Sequence, residues 1–268
     1  MIFHDYLERW DLTPDGDLVI TPTSHLLPVR RDGLPAMLKI ATEPEERRGG
    51  NLMTWWNGDG AARVLAHGES ALLLDRATGN RFLIEMARSG QDDEATRIIC
   101  AVAARLHTPR GTHPPYLIPL AGWFRELAPA AERHGGVLRQ SAEIARELLA
   151  DQHDITVLHG DIHHGNILDF GPRGWLAIDP KGLIGERSFD FANIFCNPDS
   201  DTVTAPGRLA RQATVVAESA GIDRDRLLRW ILAYAGLSAA WFLADAMEAD
   251  ARLLMTVAEI AAAEIDRR

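Results

Sequence analysis

The sequence predicts a two-lobed α+β fold, with a β-rich N-terminal segment followed by a mainly helical C-terminal segment. Three observations predict it. Short runs rich in Val, Ile and Leu, separated by turn residues, recur between residues 17 and 77. Beyond about residue 90, apolar residues recur at helical spacing. A single β-like stretch, "DITVLHGDIHHGNILDFGPRGWLAIDP" (154–180), interrupts those helices. The change of pattern near residues 75–80 divides the chain into expected lobes of 1–77 and 78–268. A crevice between two such lobes is a common place for a small molecule to bind.

In the first lobe, "VRRDGLPAMLKI" (29–40) sets Asp32-Gly33 between two apolar runs, a strong hairpin signal. "AARVLAHGESALLLDRA" (61–77) repeats the form with its turn at 67–70. Between these hairpins a helix is predicted over 42–56. Thr42 serves as its cap, Glu45 lies three residues on and Pro44 is in the first turn, while Gly49-Gly50 weaken it. In the second lobe, "QDDEATRIICAVAARLH" (91–107) aligns Ala95, Ile98, Ile99, Val102 and Leu106 on one helix face behind an acidic first turn. A Pro-rich connection follows. Residues 120–150 read as helical with a break at Gly135-Gly136, and the chain is again mostly helical from Asp190 on. No repeats or low-complexity segments occur.

Composition narrows the class. Apolar residues make up 46% and charged residues 25% of the 268, a globular balance in a chain long enough for a sizeable core. Lys and Arg number 28 against 38 Asp and Glu, a net charge of −10. That sign argues against a nucleic-acid binder and is compatible with a cationic substrate. Cys100 and Cys196 lie far apart in apolar settings, unlike a secreted disulfide framework. The opening "MIFHDYLERW" lacks the pattern of a secretory signal, and the apolar run from Trp230 to Ala244 is short for a membrane span. The expectation is a cytoplasmic protein without a membrane partner; the oligomeric state is left open.

The chemistry concentrates in "LHGDIHHGN" (158–166) and the hairpin after it. Asp161 is followed five residues later by Asn166, and thirteen beyond that by Asp179. Phosphoryl transfer from a nucleotide needs a carboxylate to orient and deprotonate a hydroxyl, and oxygen ligands to hold Mg²⁺ on the phosphates. An intervening hairpin would return Asp179 to Asn166. Zinc is the poorer reading of His159, His163 and His164, because no spaced His or Cys partners accompany them. Asp169 reads as a cap of the tight hairpin.

The string "VLHGDIHHGNILDFGPRGWLAIDPKGLIGERSFDFANIF" (157–195), with "TWWNGDGAARVL" and "LRWILAYAGLSAAWF", resembles the aminoglycoside 6-phosphotransferases. These are the streptomycin kinases, also called aminoglycoside/hydroxyurea resistance kinases. The likeness runs from about residue 20 to 245 and implies a protein-kinase-like fold. It implies an enzyme that uses ATP and Mg²⁺ to phosphorylate a hydroxyl of a cationic aminoglycoside, streptomycin at its 6-hydroxyl being the first expectation. By resemblance, Asp161 is the catalytic base and Asn166 and Asp179 are the Mg²⁺ ligands. Lys39 pairs with nucleotide phosphates, and Glu46 is its helix partner, with Glu45 the competing choice. The backbone of Asp75 and Ala77 receives the adenine. Two features depart from the protein-kinase pattern. The phosphate-covering turn "TPTSHL" has no glycine, which leaves Thr23 and Ser24 as contacts, and Pro180 follows Asp179, biasing it toward extended geometry.

Around this core, Asp190 reads either as a brace of the catalytic loop or as a substrate contact, the brace being favoured. Glu186 reads as an exposed acid near substrate or in solvent, and Lys181 as an exposed lysine with a possible role on phosphate. Trp230, Trp241 and Phe242 read as core, with Trp241 the choice for a substrate-facing aromatic. Asp245, Glu248 and Asp250 read first as a solvated helix end, and second as partners for a guanidinium or ammonium group. Two alternatives remain. One is a kinase of another small hydroxylated metabolite, sugar-, choline- or homoserine-like. The other is a kinase-fold binding protein without turnover, which the presence of Lys39, Asp161, Asn166 and Asp179 argues against.

Overall fold

A short helix, α1 (His4–Arg9), leads into the strands β1 (Leu12–Pro14), β2 (Val19–Ile20), β3 (Ser24–Arg31) and β4 (Leu34–Ala41) of a computed structural model that describes residues 3–267. Helix α2 (Pro44–Trp56) and strands β5 (Val64–His67) and β6 (Ala71–Asp75) complete this part. The first two residues and the last one of the two expected lobes lie outside the described residues. The sheet is antiparallel throughout, in the order β1-β3-β4-β6-β5, with β2 on β3. Alternation along β4 sends Ala36, Leu38 and Ile40 into a core with Val29 and Leu73, and leaves Met37 and Lys39 on the opposite face. That period of two is how a lysine in an apolar strand reaches a cleft.

Helix α2 starts at Pro44, with Glu43 rather than Thr42 in the cap position and no side-chain cap bond. This corrects the sequence expectation. The Thr42 amide donates to the Thr23 carbonyl at 2.9 Å, which ties it to the preceding turn, and Pro44 supplies a preset φ for the first helical residue. Gly49-Gly50 do not shorten the helix. They let it lie close: a Cβ on Gly49 would strike the Pro180 carbonyl, and one on Gly50 would strike Leu72.

The second part contains α3 (Leu83–Arg88), α4 (Asp92–Leu106), β7 (Ile118–Pro119), α5 (Leu120–Trp123), α6 (Leu127–His134) and α7 (Gly136–Ala150). Next come β8 (Ile155–Leu158), β9 (Ile167–Asp169), β10 (Trp175–Ala177) and β11 (Leu183–Glu186). A run of 3-10 helix over Arg187–Cys196 precedes α8 (Ser200–Val203), α9 (Arg208–Ala220), α10 (Arg224–Ala244) and α11 (Glu248–Ile265). As expected, β9 and β10 form a hairpin around a turn at Gly171–Arg173, and α6 and α7 part at Gly135, whose φ is +64°. Asp169 caps the hairpin by accepting from the Gly171 amide at 3.0 Å, and also pairs with Arg81 at 2.7 Å.

The main core gathers Phe189, Phe191, Phe195 and Trp230 with the buried faces of α4, α7 and α10. Helix α10 is the one helix among the described residues long and apolar enough to cross a membrane, and most of it is buried among these neighbours. A smaller cluster joins the two parts: Met53, Leu72 and Leu74 pack with Phe170 and Leu176 of the hairpin. Backbone bonds reinforce the seam, from Ala62 to the Ala177 carbonyl at 2.8 Å and from Ala177 to the Gly60 carbonyl at 2.9 Å.

Candidate active site

The loop between β8 and β9 carries Asp161, and Asp190 determines its shape. Asp190 is 1% exposed. One of its oxygens accepts from the His159 amide at 2.9 Å and from His107 Nε2 at 2.7 Å, and the other accepts from the Gly160 amide at 2.7 Å. Asp190 is therefore the brace favoured from the sequence, and the substrate-contact alternative is corrected: these three donors hold the carboxylate at 1% exposure, out of a ligand's reach. Gly160 has a φ of +85°, and a Cβ there would collide with Leu183 and Lys181. Glycine is what allows the loop to turn under the brace.

Two of the three histidines hold the loop by hydrogen bonds. His159 Nε2 donates to the Ile178 carbonyl at 2.8 Å, and its Nδ1 accepts from the Asp161 amide at 3.2 Å. Burial pushes its pKa down, which favours the neutral ring this pattern requires. His163 Nδ1 accepts from the Gly165 amide at 3.1 Å. His164 is buried, and burial lowers its pKa to about 3. No group of three or more His, Cys, Asp or Glu is arranged to hold a metal among the described residues.

Asp161 is held at both oxygens. Asn193 Nδ2 donates to Oδ1 at 2.7 Å, and Asn166 Nδ2 donates to Oδ2 at 3.1 Å. Asn166 Nδ2 also donates to the Asp161 carbonyl at 2.9 Å. Burial raises the Asp161 carboxyl, opposed by His163 and Lys181.

The hairpin returns Asp179 as the sequence suggested, with the Ile178 amide donating to the Asn166 carbonyl at 2.9 Å. Asp179 is not extended, however; its φ is +63°. A following proline disfavours the right-handed helical region without fixing φ, and Asp tolerates the left-handed region. Lys39 pairs directly with both Asp179 and Glu46. Burial would raise the Asp179 carboxyl, yet Lys39, then Lys181, hold it below its ordinary value.

Glu46 reaches Lys39, while Glu45 turns toward Lys181, 3.4 Å from its Nζ. Lys181 is not an exposed lysine. It also lies 3.8 Å from Glu46 and 3.9 Å from Asp161, and the surrounding carboxylates outweigh burial and keep its pKa raised. Glu186, expected at the surface, is 1% exposed. It accepts from Arg226 at 2.6 and 2.7 Å, from Trp230 Nε1 at 2.8 Å and from the His153 amide at 3.2 Å. It fastens β11 to α10 and cannot serve as a substrate contact.

Two cavities flank these groups. The first, about 500 Å³, is walled by apolar side chains including Leu26, Met37, Leu74 and Phe170, and ends at Lys39 and Asp179. The segment from Leu74 to Ala77 lines it. The Asp75 amide donates to the Arg63 carbonyl at 2.9 Å, so Asp75 has a carbonyl but no free amide to offer a base there. The glycine-free turn is closed by Thr21, whose Oγ1 donates to the Ser24 carbonyl at 2.9 Å and accepts from the Ser24 amide at 3.0 Å. Thr23 Oγ1 donates to Glu46 at 2.9 Å. These hydroxyl bonds fix the turn where glycine would leave it free.

The second cavity, about 790 Å³, opens at Asp161. Trp241 lines it, packed edge-on against Trp123 (centroids 5.3 Å apart), and so does Tyr234. Glu45, Asp245 and Asp250 stand on its wall with Asp161, against Arg125 and Lys181. Glu248 faces Arg252 instead, at 3.3 Å.

The aminoglycoside/hydroxyurea antibiotic resistance kinase family matches residues 9–246. The chain belongs to that family. It is 54% identical over 244 residues to a streptomycin 3″-kinase of Klebsiella pneumoniae, covering 89% of this chain and 91% of that one. It is 33% identical over 274 residues to a streptomycin 6-kinase of Streptomyces griseus, covering 94% and 86% respectively. Among solved structures, a thermostable mutant of aminoglycoside phosphotransferase APH(4)-Ia superposes with a TM-score of 0.69 at 15% identity, over 98% of this chain and 99% of that one. A choline kinase from Cryptosporidium parvum Iowa II gives 0.67 at 11%, over 94% and 90%. The fold is thus the two-lobed kinase-like one, and the chain is a small-molecule kinase.

The residues present suit Mg²⁺. Asn166 uses its amide nitrogen on Asp161, which leaves its side-chain oxygen as a hard donor, and Asp179 supplies a carboxylate. Mg²⁺ takes few protein oxygens and fills the rest of its shell with phosphate and water. Asn193 escaped the sequence reading, and Lys181 entered it as an exposed lysine whereas its side chain is 18% exposed. Asn193 lies 32 residues beyond Asp161, and no spacing rule links the two.

Proposed function

We propose that this kinase transfers the γ-phosphoryl group of ATP to a hydroxyl of streptomycin and thereby inactivates the antibiotic. The observation that carries the reading is the position of Asp161. It stands where an apolar cleft ending in Lys39 and Asp179 meets a cavity whose acids outnumber its formal cations. An apolar cleft suits an adenine, with the Asp75 carbonyl and the Ala77 backbone as its edge contacts. An acidic, aromatic-lined cavity suits a polycationic sugar, with Trp241 against a ring and Asp245 and Asp250 near guanidinium groups.

In this reading Asp161 accepts a hydrogen bond from the acceptor hydroxyl and takes its proton as the oxygen attacks phosphorus. Asn193 and Asn166 fix the carboxylate, one donor on each oxygen, on the wall of the cavity. Lys39, oriented by Glu46, neutralises phosphate charge. Mg²⁺, held by Asn166 and Asp179, supplies further charge neutralisation on the nucleotide phosphates when bound. Most of the rate enhancement is then positioning and electrostatics.

The relatives divide over the hydroxyl. The 54% identity to a 3″-kinase favours the 3″-hydroxyl, and the 33% identity to a 6-kinase supports the 6-hydroxyl expected from the sequence. The test is an acceptor panel with saturating Mg·ATP, comprising streptomycin, other aminoglycosides, choline and homoserine, followed by phosphorus–proton correlation NMR of the product. The reading requires streptomycin to give the highest kcat/KM; a metabolite outperforming it would overturn the assignment. The correlated ring proton decides between 3″ and 6.

A further inference from the structure

Lys181 has no place in the scheme above. We propose that its ammonium group is a catalytic cation that contacts the phosphoryl group in transit, on the acceptor side of the cleft. The inference rests on the reading that phosphate passes to a hydroxyl held at Asp161.

Both peptide groups of the residue are fixed. Its amide donates to the His159 carbonyl at 2.7 Å, and its carbonyl accepts from Arg48 Nε at 3.1 Å. Pro180 precedes it and lies against α2 at Gly49, and the stem of Arg48 packs over Gly182 on the other side. The side chain is 18% exposed, although lysine normally extends into solvent. A backbone pinned on both sides and a side chain only 18% exposed restrict where the ammonium can lie.

That place is unusual in its distances. Nζ lies 3.4 Å from Glu45, 3.8 Å from Glu46 and 3.9 Å from Asp161. Charge-assisted hydrogen bonds run at about 2.7–2.9 Å, so none of these is a closed pair. Lys39 is the contrast, bonded directly to both Glu46 and Asp179. The two lysines share Glu46 and stand on opposite sides of it, Lys39 in the apolar cleft and Lys181 in the cavity with Asp161. A lysine serving only to neutralise Glu45 and Glu46 would close on one of them. Lys181 instead keeps its three donors available on the wall of the cavity, 3.9 Å from Asp161.

The step balances without it forming a bond. The bond between the γ-phosphorus and the bridging oxygen breaks, and its electron pair leaves on ADP. The acceptor oxygen bonds to phosphorus, and its proton passes to the Asp161 carboxylate. Lys181 keeps its protons and donates hydrogen bonds to the equatorial oxygens, on which charge is spread in the transition state.

The test compares Lys181→Met and Lys181→Arg with the wild type. Steady-state rates are read with streptomycin, and Mg·ADP affinity is read with and without tetrafluoroaluminate, a planar stand-in for the phosphoryl group. Lys181→Met is expected to lower kcat about 100-fold, with both KM values and Mg·ADP affinity nearly unchanged. The affinity gained from fluoroaluminate should fall by a similar factor, and Lys181→Arg should recover part of both losses. An undiminished fluoroaluminate gain in Lys181→Met would overturn the proposal. Should that variant melt early because three carboxylates now face one another, the same quantities are read after adding Glu45→Gln. If the wild type ignores streptomycin yet is trapped by fluoroaluminate, the substrate assignment fails, and the trapping comparison still decides the role of Lys181.

Discussion

Asn193 Nδ2 donates to Asp161 Oδ1 at 2.7 Å, and Asn197 Nδ2 donates in turn to the Asn193 side-chain oxygen at 3.0 Å. The second bond makes the first one directional. With its oxygen engaged by Asn197, the Asn193 amide can present only its NH₂ to the carboxylate. The chain from Asn197 through Asn193 therefore selects one rotamer of Asp161.

Replacing Asn193 should therefore act on kcat. Asn193→Ala is expected to lower kcat by about tenfold to a hundredfold and to leave the KM for ATP nearly unchanged, since the nucleotide cleft is untouched. Asn193→Asp should be worse than alanine, because it sets a second acceptor against Asp161. Steady-state kinetics with both substrates varied check both outcomes.

Asp190 gives a stability prediction. Asp190→Ala leaves the His159 and Gly160 amides and His107 Nε2 buried without an acceptor. A stranded buried polar group costs about 1–3 kcal/mol, so a loss of about 3 kcal/mol or more is expected in denaturant unfolding. Activity should fall with it, because the loop loses its shape.

Glu186 gives a pH prediction. Burial alone would raise its carboxyl, but Arg226, Trp230 and the His153 amide outweigh burial and hold it below its ordinary value. A carboxyl depressed in the folded state stabilises the fold at pH values above its unfolded pKa. That contribution is lost as pH falls through the folded pKa. Glu186→Gln should therefore be clearly less stable than wild type near pH 7, by about 3 kcal/mol, and the gap should narrow on acidification below pH 4.5. Urea midpoints across that range measure it.

What the sequence disclosed and what it concealed divide along a physical line. The hairpins, the α6–α7 break and the Asp161-to-Asp179 hairpin depend on neighbouring residues, so turn chemistry and periodicity reported them. The wrong or missing parts are tertiary. Thr42 looks like a helix cap until the Thr23 carbonyl takes its amide. Gly49-Gly50 look like weak points until Pro180 and Leu72 are seen against them. Glu186 looks solvated because its partners, Arg226 and Trp230, lie 40 and 44 residues away. Lys181 follows an active-site acid in sequence, but its burial depends on α2. Of two adjacent glutamates, only the fold shows that Glu46 meets Lys39 and Glu45 meets Lys181.

The central claim is that Asp161 accepts the proton of a streptomycin hydroxyl in a kinase cleft. The most direct measurement is the initial rate of streptomycin-dependent ADP formation in wild type and Asp161→Asn, with Mg·ADP affinity measured on both. The account predicts a wild-type rate that requires streptomycin, a fall of about 1,000-fold in the variant, and unchanged Mg·ADP affinity. Equal rates in the two proteins would contradict it.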